Sequence, residues 1–409
     1  MYQDPDDADL IGEIPVLGGA VLTLNAGSSS LKFALYGTDG DQPIAEGIVD
    51  RIGANQAEMQ LKNAAGDDLP VSNIPLVDHA QAIRAVLDSL RAAFPQKKLA
   101  AIGHRVVHGG VEFDRPTVVD DDVLTRLEAF VPFAPLHQPH NLAGIRAAMA
   151  AYPGVPQVAC FDTAFHRAHP WVNDTFALPR EYYDRGVRRY GFHGISYDYI
   201  TSELQARAPL IAAGRVVVAH LGNGASMCAI QHGRSVASTM GFSALDGLPM
   251  GTRCGQVDPG VLLYLMDQEG MDGEAIADML YRRSGLLGLS GGLSNDMRTL
   301  EASDAPEARE AIDYFVFRIQ RELGAMAASM GGIDALVFCG GIGENSRLIR
   351  SRICERTEWM GIEIDHSRNV DNATIISSDL SRAKVMVVPT NEGLVIARAA
   401  RDVLKAARV

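Results

Sequence analysis

Short apolar runs alternate along this chain with clusters of small polar turn residues. Residues 21–24 read as a strand, residues 25–30 (Asn-Ala-Gly-Ser-Ser-Ser) as a polar tip, and residues 31–36 as a second, alternating strand that ends at the turn 37–40. This is the pattern of a β-hairpin. The same design returns half a chain later: an apolar run at 216–220, a tip of Asn, Gly and Ser at 221–226, an apolar run at 227–230 and a turn at 231–233. Two copies so far apart point to duplication, since solenoid repeats have periods of roughly 20–50 residues. Chance likeness between two hairpins is the competing explanation.

Residues 99–107, 155–160, 335–338 and 385–388 read as buried strands, and 81–93 has apolar positions at helical spacing. A long helix is predicted over Pro306–Met330, with Asp304 as its cap, Pro306 in the first turn and Gly331-Gly332 closing it. Residues 394–409 read as a final amphipathic helix. Such alternation predicts an α/β fold with mixed sheets covered by helices, and the duplication sets a domain boundary near residues 162–170.

The 409 residues suffice for two or three domains at roughly 100–200 residues each. With 47% hydrophobic and 21% charged residues the chain is of ordinary globular composition. Its net charge of −13 argues against nucleic-acid binding, although a few local arginines could still receive a small anion. No apolar run approaches the roughly 20 residues of a membrane span. Residues 1–19 are acidic and lack the basic and apolar regions of a secretory signal, so a loosely ordered extension is expected there. Five scattered cysteines without a C-x-x-C pair predict buried, reduced thiols in a cytoplasmic protein and no disulfide framework.

Three glycine-rich stretches, 25–30, 220–226 and 340–345, each follow an apolar strand. They are either simple turns or loops whose backbone N–H groups receive phosphate. Neither a Walker loop nor a complete G-x-G-x-x-G fingerprint is present. Arg105 and Arg253 sit among apolar residues and glycines, where a guanidinium either pairs with a buried carboxylate or awaits an anionic ligand. His104 and His108 lie in a β context without a partner Glu, so a zinc site is not expected. His193, between Phe192 and Gly194, suits a polar group presented to a pocket, and His137 is either a loop cap or a pocket group. Asp162 follows a buried strand, where related α/β folds present reactive groups. Glu392, at another strand end, is a candidate Mg2+ ligand. Asp296, Met297 and Arg298 form a shelf for a nucleotide base or an ordinary loop.

In order, residues 24–32, 103–110, 161–165, 190–194, 220–226, 250–255, 340–346 and 390–392 resemble the signatures of the acetate kinase (acetokinase) family, and the likeness runs from about Val21 to Arg398. The resemblance implies the acetate/sugar kinase–Hsp70–actin superfamily: duplicated ribonuclease-H-like domains with mixed β-sheets flanked by helices and a cleft between them. Residues 20–164 with 394–409 would form the acetate side, and 165–393 the nucleotide-binding and dimerisation side. Also implied are reversible phosphorylation of acetate by ATP, Mg2+ with Mn2+ as a substitute, and a cytoplasmic homodimer.

Carried over by motif, Asn25 and Glu392 would hold the metal and Lys32 would lie near the phosphates. Arg105 would grip the acetate carboxylate, with Val107, Leu136, His137 and Phe192 around it. His193 and Arg253 would stabilise the transferring phosphoryl group. His220, Leu221, Gly222, Asn223 and Gly224 would receive the phosphates. Asp296, Met297 and Arg298 together with Gly341, Ile342, Gly343, Glu344 and Asn345 would surround the adenosine. Asp162 is described in the family as an acid/base. Acetate is already an anion near neutrality, so Asp162 is expected instead to orient Mg2+ or its water. Departures from the family pattern are Ala244 for Pro, Gln256 and Thr299 for Asp, and Gly393 for Glu. Ala244 leaves a propionate or other short-chain acyl kinase as the alternative. An Hsp70- or actin-like ATP-switch module is the reading from another class.

Overall fold

The computed structural model describes residues 19–27, 30–54 and 56–406. The expected acidic extension, up to residue 18, and Ser28 and Ser29 of the first hairpin tip lie outside the described residues.

The first sheet is built outward from the predicted hairpin. Strands β1 (Gly19–Ala26) and β2 (Leu31–Gly37) pair antiparallel, with Asn25 opposite Lys32. β3 (Pro43–Asp50) and β4 (Glu58–Asn63) continue the meander. On the other side β1 runs parallel to β5 (Lys98–Val106), beyond which β7 (Gln157–Phe161) is parallel and β6 (Thr117–Val118) antiparallel. The order is β4-β3-β2-β1-β5-β7-β6.

The second sheet takes β8 (Arg215–Leu221), β9 (Ala225–Gln231), β10 (Arg234–Ser238), β11 (Ala335–Cys339) and β12 (Lys384–Val387) in the order β10-β9-β8-β11-β12. Without the additions β4 and β6, both sheets read third-second-first-fourth-fifth, three antiparallel strands and then two parallel ones. The likeness of the two hairpins therefore extends to whole sheets, and the α/β class expected from the sequence is the one observed. The edge strand β4, absent from the sequence reading, alternates Glu58, Gln60 and Lys62 with Met59 and Leu61, as a half-covered strand should.

Helices cover both faces. His79–Ala93, capped by Asp78 accepting from the Gln81 amide (2.7 Å), packs with Gln138–Ala151 against Leu22, Leu24 and Phe33. Pro306–Met330 has its predicted bounds and ends in left-handed Gly331 (φ 71°). The expected Asp304 cap is corrected: Ala305 takes that position without a side-chain bond, and it is the carbonyl of Asp304 that accepts from Arg309 (3.1 Å). Pro306 at the first position already removes one orphan N–H.

Two further helices position the site. Glu392–Ala406 starts two residues earlier than predicted and lays Ile396, Ala397, Ala400 and Leu404 against Val21, Ala101 and Cys160 of the first sheet. It approaches β5 so closely that a Cβ on Gly103 would lie 2.4 Å from Ile396 Cγ2. Gly194–Arg207 gives Ile195 to that same cluster but Tyr197, Ile200 and Leu204 to the core of the second sheet. No helix of the described residues is long and apolar enough to cross a membrane.

Gly103 thus sets how deeply the last helix seats, and with it where Glu392 stands. Gly103→Val is expected to destabilise the fold by about 2 kcal/mol through overpacking and to depress activity as well. Urea denaturation alongside a turnover assay checks this, and a wild-type midpoint would contradict it.

Candidate active site

The carboxyl ends of the parallel strands of both sheets converge on one cleft of about 880 Å³, the place where open α/β sheets bind ligands. Asn25, Arg105 and His220 are next to last in β1, β5 and β8, Asp162 follows β7, and Glu392 opens the final helix. All five line the cleft.

Arg105 is the hub. Its Nε and Nη2 donate to Asp162 Oδ1 and Oδ2 (2.9 and 2.7 Å), and Nη1 donates to Asn25 Oδ1 (3.1 Å). Glu392 Oε2 stands 3.6 Å from Nη1 and accepts from Asn25 Nδ2 (2.6 Å), while Ser196 donates to Oε1. Both readings of Arg105 left open by the sequence are thus realised together: it is paired, yet it faces the cleft, and two of its five N–H groups have no partner among the described residues. Burial works against its charge, but Asp162 and Glu392 outweigh that and push its pKa up. For Glu392, burial alone would raise the pKa; Arg105, His220 and the bonds from Ser196 and Asn25 outweigh it and hold the carboxyl at about 2. Burial pushes the carboxyl of Asp162 up, against the pull of Arg105. Its side chain is 1% exposed, and both oxygens face Arg105. Beside the expected part of orienting a metal or its water, Asp162 thus has a contact the sequence did not reveal: both of its oxygens fix the guanidinium.

Opposite this cluster, Arg253 donates to the carbonyl of Ala244 (2.9 Å) and has no ion-pair partner among the described residues. Burial, with Arg105 nearby, presses against its charge, but a guanidinium remains a cation. His193 sits in the left-handed region (φ 57°) at the start of Gly194–Arg207, and its ring stacks on His220 (4.3 Å). A Cβ on Gly224 would stand 3.0 Å from Arg253 Nη2 and 3.2 Å from His193 Nε2, so glycine there leaves both groups free to meet at one spot. Burial and cationic neighbours hold His193 well below the ordinary histidine range, and burial takes His220 to about 4. Both rings are neutral near pH 7.

Most of the other expected residues also line the cleft. Val107, Phe192, Met240 and Ala244 form an apolar wall. His137 occupies a helix-start position but makes no cap bond and faces the cleft, neutral through burial and the two arginines, which lower it to about 3. Lys32, Gly222, Asn223, Gly341 and Glu344 are present too.

The exceptions have local causes. Leu136 is half-buried outside the cleft lining, and Leu221 is packed inside β8. Asp296 caps its own short helix and pairs with the 90% exposed Arg298, while Met297 is buried in the second core. The carbonyl of the neighbouring Asn295 lies close to Gly251, which packs against Asn223 of the cleft. Residues 340–345, expected as a loop, wind into the helix Gly340–Asn345. Ile342 and Gly343 turn inward there, Asn345 bonds back to the Gly341 carbonyl (2.9 Å), and Glu344 accepts from the amides of Gly340 and Thr390 (2.8 and 3.1 Å). Sequence reasoning missed Ser196 and Tyr197. Their spacing, three and four residues after His193, places all three on one face of a helix that starts there.

Residues 20–398 match the family model described as the acetokinase family. The acetate kinase of Methylocella silvestris is 58% identical over 92% of this chain and 96% of its own, and that of Nitrobacter hamburgensis 50% over 93% and 95%. Among solved structures, Porphyromonas gingivalis acetate kinase superposes with a TM-score of 0.85 at 37% identity, covering 94% of this chain and all of its own. A propionate kinase from Francisella tularensis superposes with a TM-score of 0.88 at 36% identity, over 94% of this chain and 99% of its own.

The buried histidines set an acid limit on stability. His104, bonded to Gln157 (2.7 Å), is held at about 4 by burial, His108 at about 3 by burial and then Arg167, and His166 and His193 lie well below 6.5. Above pH 6.5 these rings are neutral in both states. As the pH falls below that value the unfolded chain takes up protons the folded rings refuse, so each costs up to about 1.4 kcal/mol per pH unit until its folded pKa is reached. Denaturation midpoints are expected to fall steeply between pH 6.5 and 4. A flat profile there would show that these rings are protonated in the folded protein.

Proposed function

The chain belongs to the acetokinase family, and on that footing we propose that it catalyses reversible transfer of the γ-phosphoryl group of ATP to the carboxylate of acetate, giving acetyl phosphate and ADP. The observation that carries this reading is the guanidinium of Arg253, half-buried without a carboxylate partner among the described residues and meeting His193 at one spot above Gly224. A desolvated cation left unpaired is costly unless an anion completes it.

Acetate enters as an anion, its methyl group against Val107, Phe192, Met240 and Ala244 and its carboxylate between Arg253 and the free N–H groups of Arg105. The phosphates lie along Gly222–Gly224 and Lys32. Two unit charges 4 Å apart repel by about 4 kcal/mol at an effective dielectric near 20, which the two guanidiniums offset. In the transfer an acetate oxygen forms a bond to the γ-phosphorus as the bond from that phosphorus to the bridging oxygen breaks, and ADP leaves with the electron pair. The developing charge on the equatorial oxygens is met by Arg253 and by the N–H of His193. Asp162 acts as a positioning residue for Arg105.

Glu392, anionic throughout the working range, and the carbonyl oxygen of Asn25 are hard oxygen donors facing the cleft, and they suit Mg2+, which takes few protein ligands beside water and phosphate. Each carboxylate oxygen of Glu392 accepts one hydrogen bond, which leaves lone pairs for the ion. When bound, the ion neutralises phosphate charge.

Propionate is the second reading, favoured by Ala244, whose methyl group leaves the apolar wall wider than a proline ring would. One methylene changes discrimination by only about 1–3 kcal/mol. Hydroxamate trapping with acetate, propionate and butyrate in parallel separates the two readings. Arg253→Ala is expected to lower kcat/KM for the preferred acid by about 10²–10³-fold, as loss of a transition-state donor does. Unaltered kinetics, or no acid-dependent ATP turnover in the native protein, would sink the proposal.

The active form is a homodimer in the cytoplasm. The helix Pro259–Asp267 buries none of its residues, leaving Val261, Leu263, Tyr264 and Met266 46–61% exposed. Tyr314 and Phe317 of the long helix are exposed as well, beside Arg318, which holds Gln256 near the foot of the shorter helix (3.1 Å). Such a patch fits a second copy. The buried free thiols of Cys160, Cys228, Cys339 and Cys354 accord with a reducing compartment. Light scattering is expected to give twice 43.9 kDa for the native chain and the monomer mass for Leu263→Glu/Tyr264→Glu. A native monomer would refute the assembly.

A further inference from the structure

We propose that Tyr197 and Ser226 are positioning residues that lock His193 in its Nε2-protonated form, so that the ring meets the reacting phosphoryl group as a neutral hydrogen-bond donor; the second half of this statement rests on the function proposed above.

The inference follows from counting hydrogens in a closed space. His193 Nδ1 lies 2.8 Å from Ser226 Oγ, and Ser226 Oγ in turn meets the hydroxyl of Tyr197. Ser226 and Tyr197 are both fully buried, and Tyr197 has no other hydrogen-bond partner among the described residues. Serine has one hydrogen to give, and two groups compete for it. If Ser226 donated to Tyr197, then Nδ1–H would have to donate to Ser226, and the tyrosyl hydrogen would be left buried with no acceptor. The opposite polarity satisfies every group: Tyr197 donates to Ser226, Ser226 donates to Nδ1, and the ring proton is left on Nε2. Nε2 is the atom that converges with Arg253 Nη2 over Gly224.

The surroundings hold the ring in this orientation. His220 stacks on it at 4.3 Å. The Gly194 amide is tied to the Asp162 carbonyl (2.9 Å), and the carbonyl of Phe192, just before His193, accepts from His166 Nε2 (3.0 Å). His166 is itself set by Ser235 at Nδ1 (2.8 Å). Burial and nearby cations keep His193 from taking a second proton near neutrality, so it has a donor to offer and no base to lend.

The test uses full-length protein labelled with 15N-histidine, with the His193 signals assigned by their absence in His193→Gln. The native protein is expected to show the Nε2-protonated pattern without substrate present, a readout independent of whether acetate is the acceptor. Tyr197→Phe/Ser226→Ala removes the donor to Nδ1 together with the hydroxyl that would lose its acceptor, so the spectrum should become a mixture of tautomers. kcat should fall about tenfold, less than the roughly 10²–10³-fold of losing a transition-state donor outright. KM for acetate and for ATP should stay within about twofold, as should follow if only the transition state needs the donor. An Nδ1-protonated ring in the native protein would overturn the proposal, and so would a Tyr197→Phe/Ser226→Ala variant that folds normally with unchanged tautomer and kcat. If the spectra behave as expected but no acetate-dependent turnover is found, the lock stands and the acceptor is wrong.

Discussion

The forked contact between Arg105 and Asp162 is the constraint on which this molecule turns. A charge pair so deeply buried is expensive, and removing either member leaves the other uncompensated. The structure meets the cost by recruiting groups from four elements: Arg105 from β5, Asp162 from beyond β7, Asn25 from β1 and Glu392 from the final helix. The result is a preset cation on one wall. On the facing wall stands a second cation, Arg253, with no carboxylate partner among the described residues. This asymmetry leaves a place for a small anion between the two walls.

The two sheets share a topology and have divided the labour. The first hairpin presents the side chains of Asn25 and Lys32 to the cleft, and the second presents backbone at Gly222 and Gly224. Side chains grip and orient, while bare backbone lets bulky anions approach. At Gly224 the lack of a side chain is itself the function, because a methyl group would occupy the point where His193 and Arg253 meet.

Much of this was legible in the sequence because the signals were local. Hairpins announce themselves by alternation and turn chemistry, and the long helix by Pro306 and Gly331. Arg105, Asp162, His193 and Glu392 stand out as polar residues at strand or helix ends. What was not legible depends on distant partners. Nothing local announces the forked contact by which Asp162 fixes Arg105, 57 residues away in sequence. Residues 340–345 have loop-like composition, yet Glu344 closes them into a helical turn by binding the amides of Gly340 and Thr390. Asp296 and Arg298 have the chemistry of a base shelf and spend it on each other. The edge strand β4 was missed because its register is set by β3 rather than by its own short apolar pattern.

The seating of Glu392–Ala406 on the first sheet has a consequence for how the protein is born. Ribosomes deliver the chain from its amino end, so β1 to β7 emerge long before the segment that shields Val21, Ala34 and Tyr36. Until translation nears its close, that greasy face stands open and Arg105 lacks the second of its carboxylates. The nascent first half is thus an obligate waiting state, exposed to aggregation and to chaperones, and it becomes catalytic material only when its distant lid arrives.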